Sequence, residues 1–443
     1  MKIHLFDHFT YRKLLRFTFP SIAMMIFTSI YGVVDGYFVS NYVGKTPFAA
    51  INFIFPFLMI LGAFGFMFGT GGGALIAKTM GEKNSEKANR LFSLFIYVSL
   101  GVGVILMILG LVFLEDIARL LGAEGEMLEH CLLYGRINLF ALPMLMLQFE
   151  FQSLFITAEK PQIGFWVTVA AGVTNMVLDA LLVAVYPMGL MGAAVATAMS
   201  QCVGGLIPLV YFACPNSSLL RLVKTDFDWR SLLKGCANGS SELMTNISMS
   251  LVGMLYNFQL NRFAGEDGIA AYGVLMYVNM IFISAYIGYS VGTAPIISYN
   301  LGSDNKAEMK SVLRKSCVLI GICSAGMLLF ALLCAKPLAN MFVGYDEMLM
   351  ALTLRAFKIF SFSFLFAGVA IYGSSFFTAL NNGLVSAIIS FLRTLVFQVA
   401  SVLLLPMFWE IDGVWISVVA AEFMAALLTV LFIIGNRKKY GYA

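Results

Sequence analysis

An all-α polytopic membrane protein is the fold class the sequence predicts, with twelve transmembrane helices in two pseudo-symmetric six-helix bundles. Three observations predict it. Hydrophobic residues fill 60% of the 443 positions and charged residues 12%, against roughly 45–50% and 25% in a soluble domain. Apolar stretches of about 20 residues, the length that crosses a hydrocarbon core, recur along the chain. The halves also repeat each other at a constant offset of 221 positions (253 − 32). That offset pairs Gly32 with Gly253, Gly44 with Gly265, Gly71 with Gly292, Gly81 with Gly302, Asn84 with Asn305 and Gly192 with Gly413.

Taken in order, the first span (15–40) follows a basic start through Arg16 and continues past Asp35 without an A-x-A cleavage site. It therefore reads as a retained helix rather than a secretory leader. The second (48–76) closes on Gly69-Thr70-Gly71-Gly72-Gly73, and the third (91–114) runs into an acidic connection. The fourth (131–157) and fifth (163–185) carry embedded amides and carboxylates, and the sixth (189–213) is divided from the fifth only by Tyr186-Pro187-Met188-Gly189. That break is short, but it holds both Pro and Gly. A basic stretch with Pro215 and Asn216 then precedes the second set, near 236–263, 269–297, 315–335, 352–378, 384–407 and 413–435.

Lys and Arg concentrate in alternate connections: Lys2, Arg12, Lys13 and Arg16; Lys78, Lys83, Lys87 and Arg90; Arg221, Lys224, Arg230 and Lys234; Lys306, Lys310, Arg314 and Lys315; Arg437, Lys438 and Lys439. The opposite connections carry Glu115, Asp116, Glu124, Glu126, Glu129, Glu266, Asp267, Asp346 and Glu347. The positive-inside rule then puts both termini in the cytoplasm. The expected division is an amino-terminal bundle over 1–213, a cytoplasmic linker over 214–234 and a carboxy-terminal bundle over 235–443. Because the offset spans six helices, an even number, both halves cross in the same direction about an axis along the membrane normal. Such duplicated bundles suit alternating access to a midplane site.

Other function classes are disfavoured. The net charge of +4 is spread over short connections instead of gathered in one patch, so it reads as topology and gives no nucleic-acid footprint. Seven cysteines lie mostly in or beside apolar runs with no C-x-x-C pair, which argues against a disulfide framework or metal centre. Gly44-Lys45-Thr46 imitates the end of a P-loop, but Val39 stands where the earlier glycine belongs. No H-E-x-x-H occurs, so a metalloprotease lacks its signature. His4, His8 and His130 lie outside the spans and read as surface residues.

Three segments then carry a resemblance. They are Val34-Asp35-Gly36-Tyr37-Phe38-Val39 in span one, Gly69-Thr70-Gly71-Gly72-Gly73-Ala74 closing span two, and Gly189-Leu190-Met191-Gly192-Ala193-Ala194-Val195-Ala196-Thr197 opening span six. In order and on a 6+6 repeat, they resemble the multidrug and toxic compound extrusion (MATE) family over essentially the whole chain, with bacterial MepA-type members most alike. The resemblance implies the MATE/MOP-type fold and export of bulky, often cationic, amphipathic compounds. It also implies a proton or sodium ion as the coupling species, no cofactor, and no ATP hydrolysis by this chain.

An ionisable side chain inside a span costs roughly 2.5–3.5 kcal/mol on insertion scales, so each is a functional candidate. Asp35 lies within span one between Gly32 and Gly36, and Asn175 and Asp179 stand four residues apart on one face of span five. An amide oxygen and carboxylates suit a hard cation, and a carboxylate removed from water suits a proton; the residues permit both. A polar clamp holding spans one, five and six together is the structural alternative. By the resemblance, Asp35, Asn175, Asp179 and Thr197 match the family's amino-half coupling site, where Na⁺ would be the metal bound. The offset carries these four onto Tyr256, Val396, Ala400 and Val418, so the ion chemistry is not duplicated.

In the carboxyl half, Glu242 near the start of span seven is a candidate second acidic site, or a carboxylate favoured there by the helix dipole. Arg393 and Glu422 read as a mutual pair. Gln148, Gln152 and Phe155 of span four, with Asn246, Tyr256, Asn257 and Asn279 of spans seven and eight, are cavity candidates, while Glu150 points to a different face. Amides bonding between helices are the commoner role for such residues. The 26 Met and 40 Phe would give varied cargo an adaptable wall. The expected partners are small amphipathic cations and membrane lipids, with no nucleic acid; the expected state is a monomer in the bacterial cytoplasmic (inner) membrane. A lipid-linked saccharide or lipid flippase is the rival reading, disfavoured because Arg393 alone offers an embedded positive charge. An intramembrane enzyme is a further rival without convergent catalytic groups.

Overall fold

The computed structural model describes residues 3–344 and 346–442, all of its regular structure helical. Lys2 lies outside the described residues, as do the side chains of Tyr37, Lys45 and Glu266. Only helices satisfy every backbone N–H and C=O within lipid without a closed barrel, and a chain this apolar has few other choices.

Span one is Tyr11–Tyr42, capped by Thr10, whose hydroxyl accepts from the Lys13 N–H at 3.4 Å. Span two runs through Lys45–Met67, a π-helical turn at Phe68–Gly72 and Gly73–Gly81. Spans three to six are Ser85–Leu121, Gly125–Thr157, Pro161–Val185 and Gly189–Ala213. Spans seven and eight form one continuous run, Trp229–Gly302, broken at Gly265. Its φ of 58° and ψ of −143° are conformations that a glycine reaches without penalty. Spans nine to twelve are Lys306–Val343, Glu347–Ala379, Gly383–Leu404 and Pro406–Tyr440, the last bent at Trp409 and Glu410.

Eleven helices among the described residues are long and apolar enough to cross a membrane. Span seven is the exception, because Asn238, Glu242, Asn246, Asn257 and Gln259 dilute its apolar content. Helical bounds run wider than the apolar windows, since helices continue into the interface until a cap stops them. Span four begins at Gly125 rather than near 131. Span seven begins at Trp229, where Asp228 accepts from the Ser231 N–H at 3.1 Å. A hydrogen bond of its side chain to Ser231 also holds the Asp228 carboxyl below the usual carboxylate range.

The repeat is visible in geometry. Lys83 (φ 61°) and Asp304 (φ 54°), one offset apart, both turn through the left-handed region. Each is followed by an asparagine cap: Asn84 accepts from the Lys87 N–H at 3.0 Å, and Asn305 from the Glu308 N–H at 3.1 Å. The halves meet backbone to backbone at the end that carries the basic connections. A β-carbon on Gly81 would overlap the Tyr299 carbonyl, and one on Gly302 would overlap that of Lys78. Lys78 and Tyr299 are themselves one offset apart, so the two contacts are copies of each other about the pseudo-twofold axis. At Gly32 and Gly253, also offset partners, a β-carbon would meet nothing within 4 Å.

The segment between Ala213 and Trp229 has no helix and is held on the amino half. Its Arg221 N–H donates to Asn89 Oδ1 and its Val223 N–H to Ser93 Oγ, both at 2.8 Å. Buried side chains collect in three clusters. One lies mainly in spans two to six, one joins the start of span one to spans eight to ten, and one lies among spans seven to twelve.

Candidate functional site

Asp35, Asn175 and Asp179 are brought together. Span one packs on span five, so Asp35 faces a turn of helix that presents Asn175, 2% exposed, and Asp179, fully buried. The Asp35 carboxyl interacts with both side chains. Asp179 is the last α-helical residue before a π-helical segment, Ala180–Val185, the kind of widened turn that recurs at functional sites. Asp35 Oδ1, Asn175 Oδ1 and both carboxylate oxygens of Asp179 are buried without a hydrogen-bond partner. Buried acceptors left this way are costly. Among the described residues no Lys, Arg or His pairs with either carboxyl. The group can therefore take a positive species held by oxygen atoms, a proton or a small hard cation.

Thr197, on span six, is linked to this group through Tyr134. Its hydroxyl donates to the Ala193 carbonyl one turn earlier at 3.0 Å, leaving the oxygen lone pairs directed elsewhere. Two tyrosines complete the surroundings. Tyr134 of span four, 2% exposed, reaches Thr197 and faces both carboxyls, and Tyr31 lies beside Asp35 and reaches Gln148. Neither was singled out from sequence. Tyr31 stands one helical turn before Asp35 and was legible on that spacing; Tyr134 lies 14 residues before Gln148 (148 − 134), the first candidate of its own span, and was not.

The offset partner of Asp35 shows what replaced the ion chemistry. Tyr256 is 2% exposed, donates its hydroxyl to Gln398 Oε1 at 2.6 Å and stacks on Tyr272 with ring centroids 5.6 Å apart. Arg393 and Glu422 pair as expected: the guanidinium Nε and Nη2 reach both carboxylate oxygens at 2.9–3.2 Å. Arg393 sits in a π-helical segment too, Leu392–Val396.

Glu242 is not in a first helical turn. The helix starts thirteen residues earlier at Trp229, about 20 Å away at 1.5 Å per residue, so the helix dipole does not explain it. It lines a cavity of about 20 Å³, room for about one water, between the halves, with Thr70, Ser153, Thr157, Ser375 and Thr378. Five hydroxyl side chains share its wall with Ala74, Val291, Ala294 and Pro295, and the wall is mainly apolar.

The remaining candidates disperse. Gln148, Gln152 and Phe155 line a separate space inside the amino half, against Gly204 and Pro208 of span six. Gln148 and Gln152 are each 4% exposed, and neither amide of Gln152 has a partner. Phe155 packs on Phe212 at 5.1 Å. Glu150 does point elsewhere, fully buried beside Ser99 with both oxygens unpartnered. Asn246 donates to the Glu242 carbonyl at 2.8 Å, Asn257 is exposed, and Asn279 contacts Met276 Sδ at 3.9 Å.

The MatE family model matches the chain twice, at residues 20–181 and 243–404. Among curated proteins, the chain is similar to "Multidrug export protein MepA" of Staphylococcus haemolyticus (strain JCSC1435), 26% identical over 430 residues, 97% of this chain and 94% of that one. It is also similar to the protein of that name from Staphylococcus aureus (strain MRSA252), 25% identical over 96% of this chain and 93% of that one. Among solved structures, a MATE in complex with MaL6 superposes with a TM-score of 0.93 at 21% identity, covering 98% of both chains. An outward-facing multidrug resistance MATE family transporter of the MOP superfamily superposes with 0.92 at 22% identity, again over 98% of both.

Proposed function

Because the chain belongs to the MatE family, matched once in each half, we propose that it is a cation-coupled antiporter that exports amphipathic, often cationic compounds by alternating access. Family membership makes it a multi-pass membrane transporter rather than an enzyme. The relatives named above are multidrug export proteins over nearly their full length, which supports drug-like cargo here. One observation carries the coupling reading: four buried oxygens of Asp35, Asn175 and Asp179 without a partner, in one half only. Asp35, Asn175, Asp179 and Thr197 bind the coupling ion, H⁺ or Na⁺, and Tyr134 orders the Thr197 side of the group. Ion arrival changes charge and hydrogen bonding on the span-one face, bends that helix and lowers affinity for cargo. Coupling requires that ion and cargo each prefer a different state.

The bundles 1–213 and 235–443 are taken as the rocking units, with 214–234 as a cytoplasmic linker. Basic residues at one end support cytoplasmic termini in an inner membrane, and the chain works as a monomer surrounded by lipid. Glu242, between the halves, is the favoured cargo contact and attracts cations once the narrow space around it widens. A flippase reading loses support because Arg393, the embedded cation it would use for an anionic headgroup, is occupied by Glu422.

The test is ethidium efflux from proteoliposomes under separate proton and sodium gradients, comparing the unmodified chain with Asp35→Asn and Asp179→Asn. Gradient-driven efflux lost in either variant, with insertion intact, is the expected result. Undiminished efflux in both would sink the coupling site, and no efflux of any cationic dye would sink the drug-export reading.

A further inference from the structure

The segment before span one is pinned to both halves. The His4 ring Nδ1 lies 2.7 Å from Glu159 Oε2, and the Leu5 N–H donates to Glu159 Oε1 at 2.7 Å. The His8 ring Nδ1 lies 2.6 Å from Glu308 Oε2, and the Phe9 N–H donates to Glu308 Oε1 at 2.8 Å. Each carboxylate is thus held by a ring nitrogen and the next backbone N–H, and each is nearly buried, at 7% and 8% exposure. Leu5 and Phe9, the residues after the histidines, are fully buried. Read as surface residues from sequence, His4 and His8 in fact form two copies of one clasp.

The two carboxylates belong to different halves. Glu159 follows span four of the amino half, and Glu308 lies in the first turn of span nine, where Lys315 also reaches the Phe9 carbonyl. The seam formed by Gly81 and Tyr299 lies beside them, with Tyr299 in the field of Glu159. Glu159 holds a left-handed backbone (φ 58°), whereas the matching turn of the carboxyl half uses Asn381 (φ 56°). Asn and Asp tolerate that region better than other side chains, so a glutamate there costs backbone energy that its clasp offsets. Glu308 likewise forgoes the usual return bond to its own N-cap in favour of His8 and Phe9.

We propose that residues 3–9 are a latch that ties the two halves together at the basic end, with Glu159 and Glu308 as its positioning carboxylates. His4 and Phe9 are five positions apart (9 − 4), at most about 18 Å of fully extended chain. A turn in which the Asp7 N–H donates to the His4 carbonyl at 3.1 Å shortens that reach. Parting the halves at this end therefore requires that one clasp let go. The inference rests on the alternating-access reading, in which the seam opens once per cycle.

The experiment is hydrogen–deuterium exchange on the full chain in lipid nanodiscs, without cargo, for Glu159→Ala, Glu308→Ala and the double variant. Peptides covering 75–84 and 296–305 report the seam. A latch in series predicts about tenfold faster seam exchange in either single variant, the scale of a lost charged hydrogen-bond pair, and no further gain in the double. Seam exchange unchanged in both singles, or multiplied in the double, overturns the latch. Should Glu308→Ala not fold, His4→Ala and His8→Ala, whose rings are partly exposed, repeat the same comparison. Ethidium efflux by the same samples reports separately on the transport reading, since the seam signal needs no cargo and no gradient.

Discussion

Replacing Arg393 with Met, Glu422 with Leu, and then both together tests how the carboxyl half tolerates charge in its core. Three hydrogen bonds of 2.9–3.2 Å join the side chains, which are 14% and 8% exposed. Unit charges about 4 Å apart attract by about 4 kcal/mol at an effective dielectric of 20. Removing one partner of a buried pair leaves the other uncompensated and typically costs about 3–5 kcal/mol. The two routes agree, so each single variant should lose about 3–5 kcal/mol. Replacing both with apolar residues of similar volume is often neutral or stabilising, so the double variant should return to within about 1 kcal/mol of the unmodified protein. Equilibrium unfolding in mixed micelles, followed by tryptophan fluorescence, closes the cycle, because Trp415 lies fully buried on the same helix as Glu422. Single variants that lose less than about 1 kcal/mol, or a double variant equal to the sum of the singles, would refute a dry, mutually dependent pair. The pair would then face water and be free for another task.

Gly81→Val should push the halves apart where the Tyr299 carbonyl now lies against the glycine. Overpacking costs about 1–3 kcal/mol, and Gly302→Val should match it; equal rises in exchange at both seam peptides would check this. Tyr134→Phe removes the hydroxyl that reaches Thr197 and should slow gradient-driven efflux several-fold, about 1 kcal/mol for one hydrogen bond, without changing urea resistance. Asp346→Ala deletes a cap that accepts from the Met348 and Leu349 N–H groups at 2.9 and 3.1 Å. It should cost about 1 kcal/mol, read as a lower urea midpoint at unchanged efflux.

The helices were legible because composition leaves little else, and the repeat was legible because its glycines and asparagines do the same job twice. Asn84 and Asn305 cap equivalent helices, and Gly81 and Gly302 meet equivalent carbonyls. Span seven shows where apolar length alone falls short: a helix that faces its neighbours through Asn238 and Gln259 can be polar and still sit within the bundle. The candidate ion group was readable because its members are separated by one helical turn or are isolated charges in apolar runs. Tyr134 was not readable, since an aromatic in a membrane helix is ordinarily packing. Nor was the place of Glu242, whose distance from the helix start depends on an Asp228 cap that lies outside the apolar window. The His4 and His8 clasps escaped notice because their partners are 155 and 300 positions away.

If Asp35 and Asp179 couple transport as proposed, the stacked Tyr256 at the position matching Asp35 also bounds the stoichiometry of exchange at that site. With one carboxylate couple at that site, a turnover driven there moves at most two protons against its cargo. One proton exchanged for a monovalent cation transfers no net charge, so only the pH gradient drives it, and cargo accumulates at most tenfold per pH unit. Two protons per cation carry one net charge inward, and the membrane voltage then adds about 2.3 kcal/mol for every 100 mV. A duplicated site would have doubled the carboxylates and raised that ceiling.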